Sequence, residues 1–220
     1  MLKKILVEYK LLSKYSWQSL YGPVIYITLS CIAYWIINLI ANNAWQTIAP
    51  TLMILIATIS LLLSLQTGFL FDMQYNALNL WCIKQHNILQ QACIRLIIFY
   101  LINMLPMAIS SYILGIILHI PIATSLLFFI IWSLSCWLIL GIGLIISALT
   151  PILRIRSNLL ILISIPFYIP ILLWSIGAIH HQQMLLNNDF ECYILLGSAL
   201  LSTIIFPKLL SIAIKIGVDN

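Results

Sequence analysis

The chain reads as an all-α polytopic membrane protein, with six transmembrane helices, an N-terminal interfacial helix and a cytoplasmic segment between helices 2 and 3. Three observations predict this. Hydrophobic residues make up 63% of the 220 and charged residues 7%, where a soluble domain carries roughly a quarter charged. Six long apolar stretches divide the sequence. The ten Lys and Arg residues all fall at alternate ends of those stretches, on one side of the membrane that they define. Lys3, Lys4, Lys10 and Lys14 precede the first stretch, and Lys84 and Arg95 sit around the gap between the second and third. Arg154 and Arg156 lie between the fourth and fifth, and Lys208 and Lys215 end the sixth. Cytoplasmic loops collect Lys and Arg, so the pattern orients a single membrane domain, residues 1–220, with both termini inside.

Residues 1–22 form an amphipathic segment. Leu2, Ile5, Leu6, Tyr9 and Leu12 follow helical spacing with the lysines on other faces, as in a helix lying in the inner interface. Tyr15, Trp17 and Tyr21 extend its anchoring, and Gly22-Pro23 is expected to turn the chain into the membrane. The transmembrane helices occupy 23–214. Helix 1, at 23–41, is too long for a signal-peptide core and is followed by Trp45 at the outer interface. Helix 2, at 48–66, begins around Pro50, which a first turn tolerates. The segment 67–90 is the longest stretch between spans. Helix 3, at 92–118, carries Asn103 and Pro106. The short turn His119-Ile120-Pro121 makes it a hairpin with helix 4, at 122–149, where Gly141 and Gly143 permit close helix approach. Helix 5, at 158–179, carries Pro166 and Pro170, which remove backbone donors and are expected to bend it. The polar outer loop His180–Asp189 leads to helix 6, at 191–214, where Lys208 can snorkel to the inner surface.

The missing motifs narrow the function. No apolar stretch carries an ionisable residue in its middle, which argues against proton relays, internal ion sites and voltage sensing. There is no P-loop, and the five acidic residues are too dispersed to form a catalytic pair. The net charge of +5 serves orientation and attraction to anionic lipid; no folded basic surface for nucleic acid can be built. Cys31, Cys82, Cys93, Cys136 and Cys192 contain no Cys-x-x-Cys and read as small apolar fillers. His86, His119, His180 and His181 read as polar loop and helix-end residues, since adjacent histidines face different sides of a helix. Trp35, Trp132 and Trp137 are expected to pack on helices or face lipid, and Asn103 to bond helix to helix, with lining a substrate path as the alternative. Phe69–Gln90, partly apolar and weakly charged, is the best surface for a protein partner.

Several local patterns resemble the CcmB family, the B subunit of the cytochrome c maturation system long called haem exporter protein B. Length, six-span layout and inside termini agree over nearly the whole chain. Ile48-Ala49-Pro50, Phe69-x-x-Asp72 followed by Leu78, and Ala148-Leu149-Thr150 followed by Arg154 are similar to family patterns. Ile165-Pro166-Phe167-Tyr168-Ile169-Pro170 is the most specific, since it fixes two prolines and their neighbours. Departures from the family pattern include Gln66, Asn76, Asn79 and Arg156-Ser157.

The resemblance implies a type-2 ABC exporter permease, with residues 1–22 as the elbow helix and 67–90 as the coupling segment. It implies a non-catalytic subunit, present in two copies, paired with a separate ATP-binding subunit and joined by the haem-handling C subunit and the small D subunit. ATP hydrolysis there drives haem export or release of a haem-loaded chaperone. Haem is a handled ligand, and no metal or cofactor is held firmly by this chain. Phe69, Asp72, Leu78 and Trp81 become the expected ATPase contacts, Arg154 a support at the inner face, and Pro166 and Pro170 the points of bending. The implied location is the bacterial inner membrane, with the mitochondrial inner membrane as the alternative. An exporter permease for another substrate, or a membrane scaffold without a transport path, are the alternative functions.

Overall fold

The computed structural model describes residues 21–40, 45–65, 88–117, 122–149, 157–183 and 190–219. These residues are all helical: α1 (Tyr21–Ile40), α2 (Trp45–Leu65), α3 (Ile88–Ile117), α4 (Ile122–Leu149), α5 (Ser157–Gln183) and α6 (Phe190–Asp219). The expected interfacial helix and nearly all of the segment 67–90 lie outside the described residues.

Several boundaries differ from expectation. Gly22 and Pro23 are already helical in α1, so the expected turn is absent; Pro in a first turn gives up an N–H with no intrahelical acceptor. α3 starts at Ile88, so Ile88–Gln90 belong to the helix and Arg95, expected in its first turn, lies two turns inside it. α5 runs through His180 and His181 to Gln183, where a loop was expected. α6 continues past Lys215. In each case the added residues are helix-compatible and extend an existing helix, which is cheaper than nucleating a new turn.

Among the described residues, three stretches are long and apolar enough to cross a bilayer: Ile88–Ile113, Phe128–Leu149 and Phe190–Ile216. Shorter apolar stretches occur at Pro23–Ala33, Thr51–Leu63 and Ile163–Ile179. The chain is a multi-pass membrane protein.

α4 is the centre. It packs against α2, α3, α5 and α6, and its residues from Ile131 to Ala148 are buried on nearly every side, the signature of a helix apolar all round. The outer helices bury one stripe each. α5 buries Ser164, Tyr168, Ile171, Ser175 and Ala178, and α6 buries Leu195, Ala199, Ser202, Phe206, Leu210 and Ala213. These steps of three and four are the spacing of side chains on one helix face. The opposite faces are apolar as well. Leu101, Leu105 and Ile109 of α3 and Leu196, Leu200 and Ile204 of α6 are exposed, an outer surface suited to lipid rather than water.

Two contacts fix relative direction. Trp137 of α4 bonds Ser202 of α6, and one turn further along both helices Gly141 faces Phe206. α4 and α6 therefore run parallel. The close approach expected of Gly141 is observed: a Cβ built there would overlap the Phe206 ring.

Gly141→Ala is expected to destabilise the protein in detergent by about 1–3 kcal/mol, the cost of overpacking. Gly197, with nothing within 4 Å of an added Cβ, is the control. Gly197→Ala should be neutral or gain up to about 1 kcal/mol of helix preference. Thermal unfolding of both variants checks the contrast.

Candidate functional site

The sequence Trp132-Ser133-Leu134-Ser135-Cys136-Trp137 places four hydrogen-bonding side chains in little more than one turn of α4. Small hydroxyls do not break a helix, because each can bond a carbonyl three or four residues back. Ser202 does so with Ala199 O at 2.7 Å, and Ser111 with Ala108 O at 2.9 Å.

From this turn α4 reaches three neighbours. Towards α3, the Tyr100 hydroxyl and Ser133 Oγ lie 2.6 Å apart. Towards α5, Ser135 Oγ and Ser175 Oγ lie 2.6 Å apart. Each of these serines also lies within reach of its own-helix carbonyl, Ile131 O and Ile171 O respectively. With one proton per hydroxyl, one serine bonds its carbonyl and the other spans the helices. Towards α6, Trp137 Nε1 donates to Ser202 Oγ at 2.9 Å. Trp137 also meets the edge of Tyr100, with centroids 5.2 Å apart at 80°, a favoured aromatic geometry. Bonds of this kind between membrane helices contribute about 0.6 kcal/mol on average and up to about 1.7.

Other buried polar atoms stay unpaired. Asn103 is fully buried, but its Nδ2 donates to Phe99 O in its own helix at 2.9 Å, so the expected helix-to-helix bond is not made; its Oδ1 has no partner. Trp132 Nε1 is likewise buried without a partner, while the Tyr26 and Tyr168 hydroxyls lie beside Ser111 and Ser164. Each such atom costs about 1–3 kcal/mol relative to a satisfied one. Arg95 is the one buried charged side chain among the described residues, at 2% exposure. An ionisable group inside a membrane domain is a default marker of function.

The expected site residues divide clearly. Phe69, Asp72, Leu78, Trp81 and Arg154 lie outside the described residues, as does His119. Pro166 and Pro170 sit within α5, which remains helical across both. Trp35 is exposed, Trp132 is fully buried and Trp137 is partly buried and hydrogen-bonded. Of the cysteines, Cys136 is a buried filler and Cys31 is exposed. No group of His, Cys, Asp and Glu among the described residues could hold a metal ion.

The family model for the CcmB protein matches residues 31–217. The chain belongs to the CcmB family. The match runs from the middle of α1 through α6 and includes the whole of α4. A curated relative, "Heme exporter protein B" of Pseudomonas aeruginosa, is 24% identical over 175 residues, covering 80% of this chain and 78% of its own length. Placed on this CcmB-family chain, the polar turn of α4 is a fixed point to which α3, α5 and α6 are tied.

Ser135→Ala and Ser175→Ala should each destabilise the bundle, and the pair together by less than the sum. A double-mutant cycle measured by unfolding in detergent should return a coupling of about 0.5–1.7 kcal/mol. Additive effects would show that the two hydroxyls do not share a bond.

Proposed function

We propose that this protein is the membrane permease subunit of an ABC complex for c-type cytochrome biogenesis. The observation that carries this reading is the family match over residues 31–217, with support from the relative's name, heme exporter protein B. In this reading six helices cross the bacterial inner membrane with both termini inside, residues 1–20 lie along the inner surface, and two copies assemble. A separate subunit binds and hydrolyses ATP. The haem-handling C subunit and the small D subunit complete the assembly. The output is haem export, or release of a haem-loaded chaperone.

The fold supports a mechanical path for this reading. A push delivered to the coupling segment enters the core through α3, which begins at Ile88. Arg95, buried two turns on, fixes that end of α3 within the protein, since moving a buried charge costs far more than moving an apolar side chain. α3 is tied to α4 through Tyr100 and Ser133. α4 passes the movement to α5 and α6 through Ser175 and Ser202. α5 yields most easily, since Pro166 and Pro170 each remove a backbone hydrogen bond. Phe69, Asp72, Leu78 and Trp81 touch the ATP-binding subunit in this scheme, and Arg154 supports the inner face.

A charge placed in the apolar contact tests the docking step. Leu78→Asp is expected to abolish co-purification of the ATP-binding subunit while leaving membrane insertion of this chain intact. Unchanged co-purification contradicts the assigned contact. Arg154→Ala should weaken the association without abolishing it, read from the same experiment.

A further inference from the structure

α6 carries both of its basic residues on a face turned away from the bundle. Lys208 and Lys215 are exposed and stand two helical turns apart. Leu201, Ile205 and Ile212 are exposed as well, at 63%, 46% and 52%. Steps of three and four place all five residues on one stripe of the helix. Of the acidic residues in the described helices, Glu191 stands in the first turn of α6, at the opposite end, and Asp219 ends α6 one turn beyond Lys215.

Depth sets the chemistry of this stripe. Both lysines lie within the apolar stretch Phe190–Ile216. Tyr193, exposed at 70%, marks the interface at the start of α6, the usual place of an exposed aromatic residue in a membrane helix. Lys208 is fifteen positions further on, about 22 Å along the axis. The hydrocarbon core is about 30 Å thick, so Lys208 is rooted inside it, and Lys215, about 10 Å beyond, at its edge. A charge left in hydrocarbon is costly. Lys208 therefore runs its aliphatic stem along α6 towards the head groups, the direction in which Lys215 lies. Two ammonium groups then meet at one level, beside an apolar track. Their partner must be anionic at one end and apolar along the rest. A phosphodiester head group on acyl chains has that form, whereas a zwitterionic head group brings a further ammonium to a place already holding two.

We propose that this stripe of α6 is a binding site for one anionic phospholipid, with its phosphate between Lys208 and Lys215 and its acyl chains along Leu201, Ile205 and Ile212. The site requires only that α6 crosses a bilayer and rests on no part of the function proposed above.

Native mass spectrometry of the full chain in a nonionic detergent tests it, with dioleoyl phosphatidylglycerol and dioleoyl phosphatidylcholine added in turn. The phosphatidylglycerol adduct should form at the lower lipid concentration. Lys208→Gln and Lys215→Gln should each weaken that adduct about five-fold, the contribution of one basic residue near an anionic lipid surface, and leave the phosphatidylcholine adduct unchanged. Lys208→Arg, which keeps the charge, should retain it. Equimolar inorganic phosphate, which lacks the chains, should not displace the lipid. Equal binding of the two lipids, or a phosphatidylglycerol preference that survives in the K208Q/K215Q double variant, overturns the proposal. So does displacement by phosphate, or a double variant that releases a bound polypeptide instead of lipid.

Discussion

Hydrogen bonding from one turn of α4 is the constraint on which the rest of the bundle depends. Apolar packing alone gives membrane helices little preference for one neighbour over another, because lipid tails are as apolar as leucine. Ser133, Ser135 and Trp137 supply that preference. Each reaches a different helix, at Tyr100, Ser175 and Ser202. The bonds are modest singly, yet they lie within one thin layer and fix the register of three helices against a fourth. Gly141 adds a shape constraint one turn away, since only a residue without a Cβ admits the Phe206 ring.

This arrangement separates a fixed part from parts that can shift. α4 is buried almost all round and bonded on three sides. α5 carries two prolines on a helix whose outward face includes the exposed Phe167, Ile169 and Leu173. α1 meets α4 where the Tyr26 and Trp132 rings approach. The serines that tie helices together and the prolines that remove backbone bonds thus lie largely on different helices.

Much of the fold was legible in the sequence. The helices were visible because each is a long apolar run interrupted by polar or basic residues, and α4 agrees with its expected limits, Ile122–Leu149. The close approach at Gly141 was also legible, because glycine in an apolar helix has few other uses. Helix ends were harder. His180-His181 and Gln90-Gln91 are polar enough to read as loop, yet they continue α5 and α3, since polarity marks exposure to water or headgroups, not helix termination. The polar turn of α4 was missed. Serines scattered through an apolar helix are indistinguishable from fillers until the facing helices are known. The signal that was present is their concentration between two tryptophans, Trp132 and Trp137. Asn103 misled for the converse reason: a strong hydrogen-bonding group was expected to reach across, and it satisfies its amide on Phe99 O instead.

The central claim, that this chain works as one part of an ATP-driven assembly, is tested most directly by isolating the protein in mild detergent and identifying by mass spectrometry everything retained. Recovery of an ATP-binding subunit together with the haem-handling C subunit is the predicted result. Retention of neither, under conditions that keep the helical bundle folded, would contradict the account.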